Sequence, residues 1–222
     1  MKFCNELETR FRKESNRELA VPMENYMKNN FSFLGLKTEK RREIFKLIYE
    51  QNKAEIKSNY RTIALELFQM KEREFHQVAI DLLVKEFKKN YVLEDIQLIE
   101  KLIIKNSWWD SVDTIAKYIL GGYLLQFPSE TLKVIERFSN SKNMWLNRSA
   151  ILFQLSYKEK TNFDLLKEIC EKHQDSKEFF IQKAIGWALR EYAKTNPEAI
   201  RNFVLNSDLK PLSKKEALKN IR

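Results

Sequence analysis

EFHQVAIDLL (74–83), DSVDTIAKYI (110–119), LNRSAILFQL (146–155) and FIQKAIGWAL (180–189) read as four versions of one amphipathic helix. Superposed with shifts of one position, they put Ala79, Asp113, Ala150 and Ala184 in one slot, at intervals of 34, 37 and 34 residues. A period of that size with two helices per unit is the signature of a HEAT-like solenoid, in which each pair hides its apolar side only by stacking on its neighbours. The expected fold is all-α: a HEAT-like α-solenoid of stacked antiparallel helix pairs with a concave basic face.

Outward from these segments, apolar periodicity predicts helices over about 3–14, 17–30, 38–52, 58–69, 73–88, 92–105, 108–120, 129–139, 144–156, 161–173, 178–194, 197–206 and 213–221. Ser107 with Asp110, Thr161 with Asp164 and Ser213 with Glu216 have capping-box spacing, and Asn196-Pro197 has the form of an N-cap followed by Pro at the first helical position. Only four Gly and four Pro occur in 222 residues, whereas a β-rich chain needs many turn residues. No Gly- or Pro-rich stretch divides the chain, so a single domain over 1–222 is expected.

Lys plus Arg outnumber Asp plus Glu by 40 to 31, a formal charge of +9. A field of that sign favours a polyanionic partner, nucleic acid first, although basic residues also simply solvate helix surfaces. No apolar run approaches the roughly 18 residues of a membrane span, and Glu6 and Glu8 interrupt any leader-like stretch, so a cytoplasmic monomer without membrane contact is expected. Cys4 and Cys170 have no CxxC spacing, and His76 and His173 complete no zinc set. They are expected to be reduced structural thiols, with no metal and no cofactor.

Asp113 breaks the small-residue rule of its slot. Trp109 stands four residues before it, one turn away on the same helix face, so an indole and a carboxylate share a side. The neighbouring second helices contribute Arg148, two before the slot, and Trp187, three after it. Each has a plainer reading: Asp113 and Arg148 as a buried structural ion pair, and Trp187 as core. Trp108 and Trp145 are expected in the core, and Asp110 as a capping residue.

NYMKNNFSFLGLKTEKRRE near the N-terminus, NSWWDSVD (106–113), NMWLNRSAILFQL (143–155) and KEFFIQKAIGWALREYAKTNPEAI (177–200) resemble AlkD-type DNA alkylation repair glycosylases, in the same order and spacing and over nearly the whole chain. The resemblance implies a concave face that holds double-stranded DNA containing alkylated bases, and release of 3-methyladenine and 7-methylguanine with the lesion largely stacked rather than extruded. By residue it implies Asp113, Trp109 and Trp187 at the catalytic centre, with Arg148 and Tyr26 contacting DNA.

The residue types suit that reaction. Breaking a nucleoside C1′–N bond puts positive charge on the sugar, which a carboxylate stabilises. A cationic alkylpurine leaves as a neutral base and needs no proton, so one acid suffices. Indole faces attract cations, and a guanidinium fork suits a phosphate. The competing reading is a non-catalytic HEAT-like scaffold that binds DNA or an acidic protein, since fold alone does not fix function. A metal-dependent nuclease is disfavoured because no carboxylate or histidine cluster has ligand spacing.

Overall fold

The computed structural model describes residues 1–88 and 90–219, and they are helical apart from turns and one isolated parallel bridge between Ser32 and Glu72. The all-helical expectation holds. None of the described helices is long and apolar enough to cross a membrane. The backbone falls into two compact units, Met1–Asn90 and Tyr91–Arg222.

The first unit holds α1 (Lys2–Lys13), α2 (Arg17–Tyr26), α3 (Thr38–Gln51), α4 (Lys53–Gln69) and α5 (Arg73–Phe87). Phe3, Cys4, Leu7 and Phe11 put one stripe of α1 wholly out of water, the spacing that makes an amphipathic helix fold against a neighbour. α2 ends at Tyr26, four residues before the expected limit, because Lys28 and Asn29 both take φ of 57°. The loop that follows is fixed by Glu74. Its carboxylate, with no exposure, accepts the N–H groups of Leu34, Gly35 and Leu36 at 2.9–3.1 Å. Gly35 is required there: φ is +87°, and a Cβ would stand 2.0 Å from Asn16 O. α4 starts at Lys53, five residues before expectation, since only Asn52 separates it from α3. The Asn52 amide donates to Glu6 Oε2 at 2.6 Å and to Ile48 O at 3.0 Å, which fastens that sharp corner.

The second unit holds α6 (Asp95–Ile104), α7 (Trp109–Thr114), a π turn (Ile115–Leu120), α8 (Gly121–Gln126), α9 (Thr131–Ser139), α10 (Met144–Leu152), α11 (Phe163–Lys172), α12 (Phe179–Tyr192), α13 (Pro197–Asn206) and α14 (Pro211–Leu218). Residues 220 and 221 of the expected last helix lie outside the described residues. Ala79, Ala150 and Ala184, on α5, α10 and α12, have no exposure at all, so the slot defined by the repeat is a close-packing position.

Three of the four helix-entry readings need correction. Ser107 Oγ donates to Ile103 O at 2.6 Å, closing the end of α6, while Trp108 is the N-cap of α7 and offers no side-chain cap. Asn162, not Thr161, caps α11, accepting Leu165 N–H at 3.0 Å. Ser213 lies inside α14 and donates to Gln182 O at 3.0 Å. Glu216 is taken by Lys183 at 2.9 Å and Arg190 at 2.6 Å, and those two hydrogen-bonded cations pull its carboxyl down to about 2. Asn196 does cap α13, accepting Ala199 N–H at 3.0 Å ahead of Pro197. Tertiary partners claimed Ser213 and Glu216, whereas Ser107 turned back to the end of its own preceding helix.

Cys4 and Cys170 are buried free thiols. Burial pushes Cys4 up to about 12 and Cys170 upward as well, which makes both poor nucleophiles.

Candidate active site

Trp109 is the first residue of α7, and Asp113 follows one turn later. Arg148 stands in the middle of α10, the helix packed beside α7, and turns inward to 4% exposure. Its Nε and Nη2 donate to the two oxygens of Asp113 at 2.7 and 2.9 Å, a bidentate pair. Its Nη1 donates to the backbone carbonyl of Phe180 on α12, and the guanidinium carbon lies 5.9 Å from the Phe180 ring centroid. Three second helices, α7, α10 and α12, therefore meet at one guanidinium.

The Phe180 ring beside this pair belongs to an aromatic cluster. Trp108, Trp145 and Phe180 contact one another with centroids 5.8, 5.3 and 5.1 Å apart. The expectation that Trp108 and Trp145 are simple core needs adjusting, because both are only half-buried. The Trp108 indole N–H is out of water without an acceptor, a cost offset by ring packing against Trp145 and Phe180. Phe180 was not foreseen at all. Its signal lay in the repeat: it stands four residues before Ala184, as Trp109 stands four before Asp113.

Electrostatically, Asp113 is pulled in two directions. Its side chain keeps 12% exposure. Burial pushes its carboxyl above the ordinary 3.8, the Arg148 bond and charge oppose that, and the nearby Asp110 adds a push upward. With its capping partner gone, Asp110 occupies the first turn of α7, where the helix field favours a carboxylate.

Of the five residues singled out in the sequence, Asp113 and Arg148 are joined directly, and Trp109 is set one turn from Asp113 by the helix itself. Trp187 is half-buried on α12, seven residues after Phe180 and so on the same face of that helix. Tyr26 is 67% exposed at the end of α2, in the first unit. Arg148 forms the buried ion pair that was the plainer of its two readings. A guanidinium has five N–H donors, and three of them are spent on Asp113 and Phe180, so a phosphate has only the remaining two to use.

Chemically, a largely buried carboxylate held by one arginine is a preorganised negative charge at low local dielectric. Such a charge stabilises a developing cation more strongly than it would in water.

Residues 7–221 of the chain match the family model described as DNA alkylation repair enzyme. Among solved structures, a predicted DNA alkylation repair enzyme from Enterococcus faecalis is similar to it at 34% identity, over 93% of this chain and 96% of that one, with a TM-score of 0.85. No curated protein matches.

Proposed function

The chain belongs to the family of DNA alkylation repair enzymes, and from that premise we propose that it is a glycosylase releasing cationic alkylpurines, 3-methyladenine and 7-methylguanine, from duplex DNA. The observation that carries this reading is the Asp113 carboxylate, placed in a small-residue slot and held by both oxygens on Arg148. It supplies the negative charge that a cationic sugar needs as the C1′–N bond breaks, and it orients or deprotonates the attacking water. Trp109 and Trp187 lend electron-rich faces to the same cation, each worth about 0.5–2 kcal/mol. Arg148 keeps Asp113 ionised and aimed, and Tyr26 contacts the DNA backbone. The enzyme acts as a cytoplasmic monomer without cofactor and leaves the lesion largely stacked, with no deep base pocket.

The scaffold reading draws on the same ion pair, because a bidentate pair between two helices also serves packing. Substrate charge separates the two. Matched duplexes carrying 7-methylguanine, a bulky cationic purine adduct or uracil are incubated with the protein, and free base is followed by chromatography. We expect release of 7-methylguanine and of the bulky adduct, with uracil slower by at least about 10²-fold, since a neutral base forgoes a protonation worth that much. No release from any duplex returns the protein to the scaffold reading. Comparable release of uracil removes the charge argument.

A further inference from the structure

The helix that carries Asp113 changes pitch two residues later. α7 ends at Thr114, the π turn occupies Ile115–Leu120, and α8 continues from Gly121, whose N–H reaches back five residues to Ala116 O. In an α-helix each residue turns the chain about 100°, so eight residues would carry Gly121 about 80° past the direction of Asp113. A turn closed from i to i+5 takes in one extra residue. Everything beyond it is set back by about one residue's rotation, which brings Gly121 to within roughly 20° of the Asp113 face. Both positions then look at α10. Asp113 meets Arg148 there, and Gly121 lies so close to the end of α10 that a Cβ would stand 2.5 Å from Phe153 O. A regular α-helix of the same length cannot satisfy both contacts.

The widened turn is held from the segment just past α10. Tyr157 Oη donates to Gly121 O at 2.7 Å, and Ser156 Oγ reaches Lys117 O at 3.3 Å. The Tyr157 ring packs edge-on against Phe153 with centroids 5.7 Å apart, so the hydroxyl is fixed by its own ring. Burial raises the phenol's pKa, which keeps the proton in place for donation.

We infer that Tyr157 is a positioning residue for Asp113: its hydrogen bond to Gly121 fixes the π turn, and through the turn the rotation of α7 that lets both Asp113 oxygens meet Arg148. The inference rests on the role of Asp113 proposed above. The register of a π turn is easily lost, since sliding it by one residue restores ordinary i to i+4 bonds at one end at the expense of the other. Among the described residues the Tyr157 hydroxyl makes the shortest side-chain bond to the turn, since Ser156 and the Tyr91 hydroxyl, which donates to Tyr118 O, reach it only at 3.3 and 3.4 Å. When that bond is lost, rotation of α7 breaks the bidentate geometry, while the DNA-facing surface stays as it was.

Tyr157→Phe keeps the ring and removes only the bond. Duplex affinity is expected to be unchanged, and single-turnover release of 7-methylguanine at saturating enzyme to fall between about 10- and 100-fold, the usual consequence of misplacing a catalytic group by a fraction of an ångström to an ångström. The ¹³C carboxyl signal of Asp113 should titrate at higher pH than in the wild type, because part of the Arg148 hold is lost. The other charged group facing it, Asp110 on its own helix, is unaltered. Ser156→Ala, removing the longer bond, should move rate and titration the same way by less. Tyr49→Phe is the control: it removes a buried-side hydroxyl bonded to Glu86 at 2.5 Å in the first unit and should lower stability alone. If Tyr157→Phe behaves like Tyr49→Phe, with rate and Asp113 titration unchanged, the inference is overturned. If Asp113→Asn proves fully active while Tyr157→Phe still moves the Asp113 titration, the catalytic reading falls and the positioning inference stands.

Discussion

Glu74 and Asp113 are both largely dehydrated carboxylates on helices of the repeat, and burial pushes the pKa of each upward. Their partners differ in kind. Glu74 holds three backbone N–H groups of the loop at Leu34–Leu36, and backbone donors cannot turn away without unmaking the loop. Asp113 is held by one side chain, Arg148, and keeps a sliver of exposure. Burial and a raised pKa therefore do not by themselves mark chemistry. A carboxylate whose lone pairs belong to the backbone is a structural tie, while one held by a side chain, with an open edge, is available to a substrate.

The two carboxylates should separate most widely on mutation of Asp113. Asp113→Asn keeps the shape and loses the charge, and base release should fall by about 10²–10³-fold, the usual cost of removing one preorganised electrostatic group. Duplex binding should be unchanged or tighter, with circular dichroism reporting an intact helical fold. Near wild-type release would place Asp113 beside Glu74 as a structural tie. The next effect falls on stability instead of rate. Glu74→Ala leaves three N–H groups of the loop unpaired, and urea unfolding should show a loss of at least about 3 kcal/mol, while the rate per folded molecule stays the same. A large rate loss with unchanged stability would erase the distinction.

The smallest effect sharpens the electrostatics. Because the Asp113 carboxyl titrates above its ordinary 3.8, the catalytically required anion is lost as pH falls through that raised value, and the acid limb of the rate profile should lie above the usual aspartate range. Asp110→Asn removes a charge that opposes ionisation of Asp113, so the limb should move to lower pH. In stability the sign is reversed: a carboxyl that binds its proton more tightly folded than unfolded favours folding below its ordinary pKa, and that contribution is lost as pH rises through the raised one. A limb unmoved by Asp110→Asn would show that burial alone sets the titration.

Sequence periodicity determined that the chain is helical, where most helices lie, and that Ala79, Ala150 and Ala184 are close-packed, because burial of one helix face is written as a spacing of three and four residues. It determined equally that Trp109 and Asp113 share a face, since that relation is local to one helix. The Asn196-Pro197 entry was legible for the same reason. Tertiary structure alone decided what depends on choosing among partners far apart in the chain. Ser213 serves Gln182 instead of a helix end, and Arg148 spends three donors on Asp113 and Phe180. The π turn that aims α7 satisfies two contacts with α10 at once, and no spacing within 109–126 encodes where Arg148 and Phe153 will stand. A hydrogen-bonding side chain has several chemically equal partners in sequence, and only the packed fold brings one of them within 3 Å with the right angle.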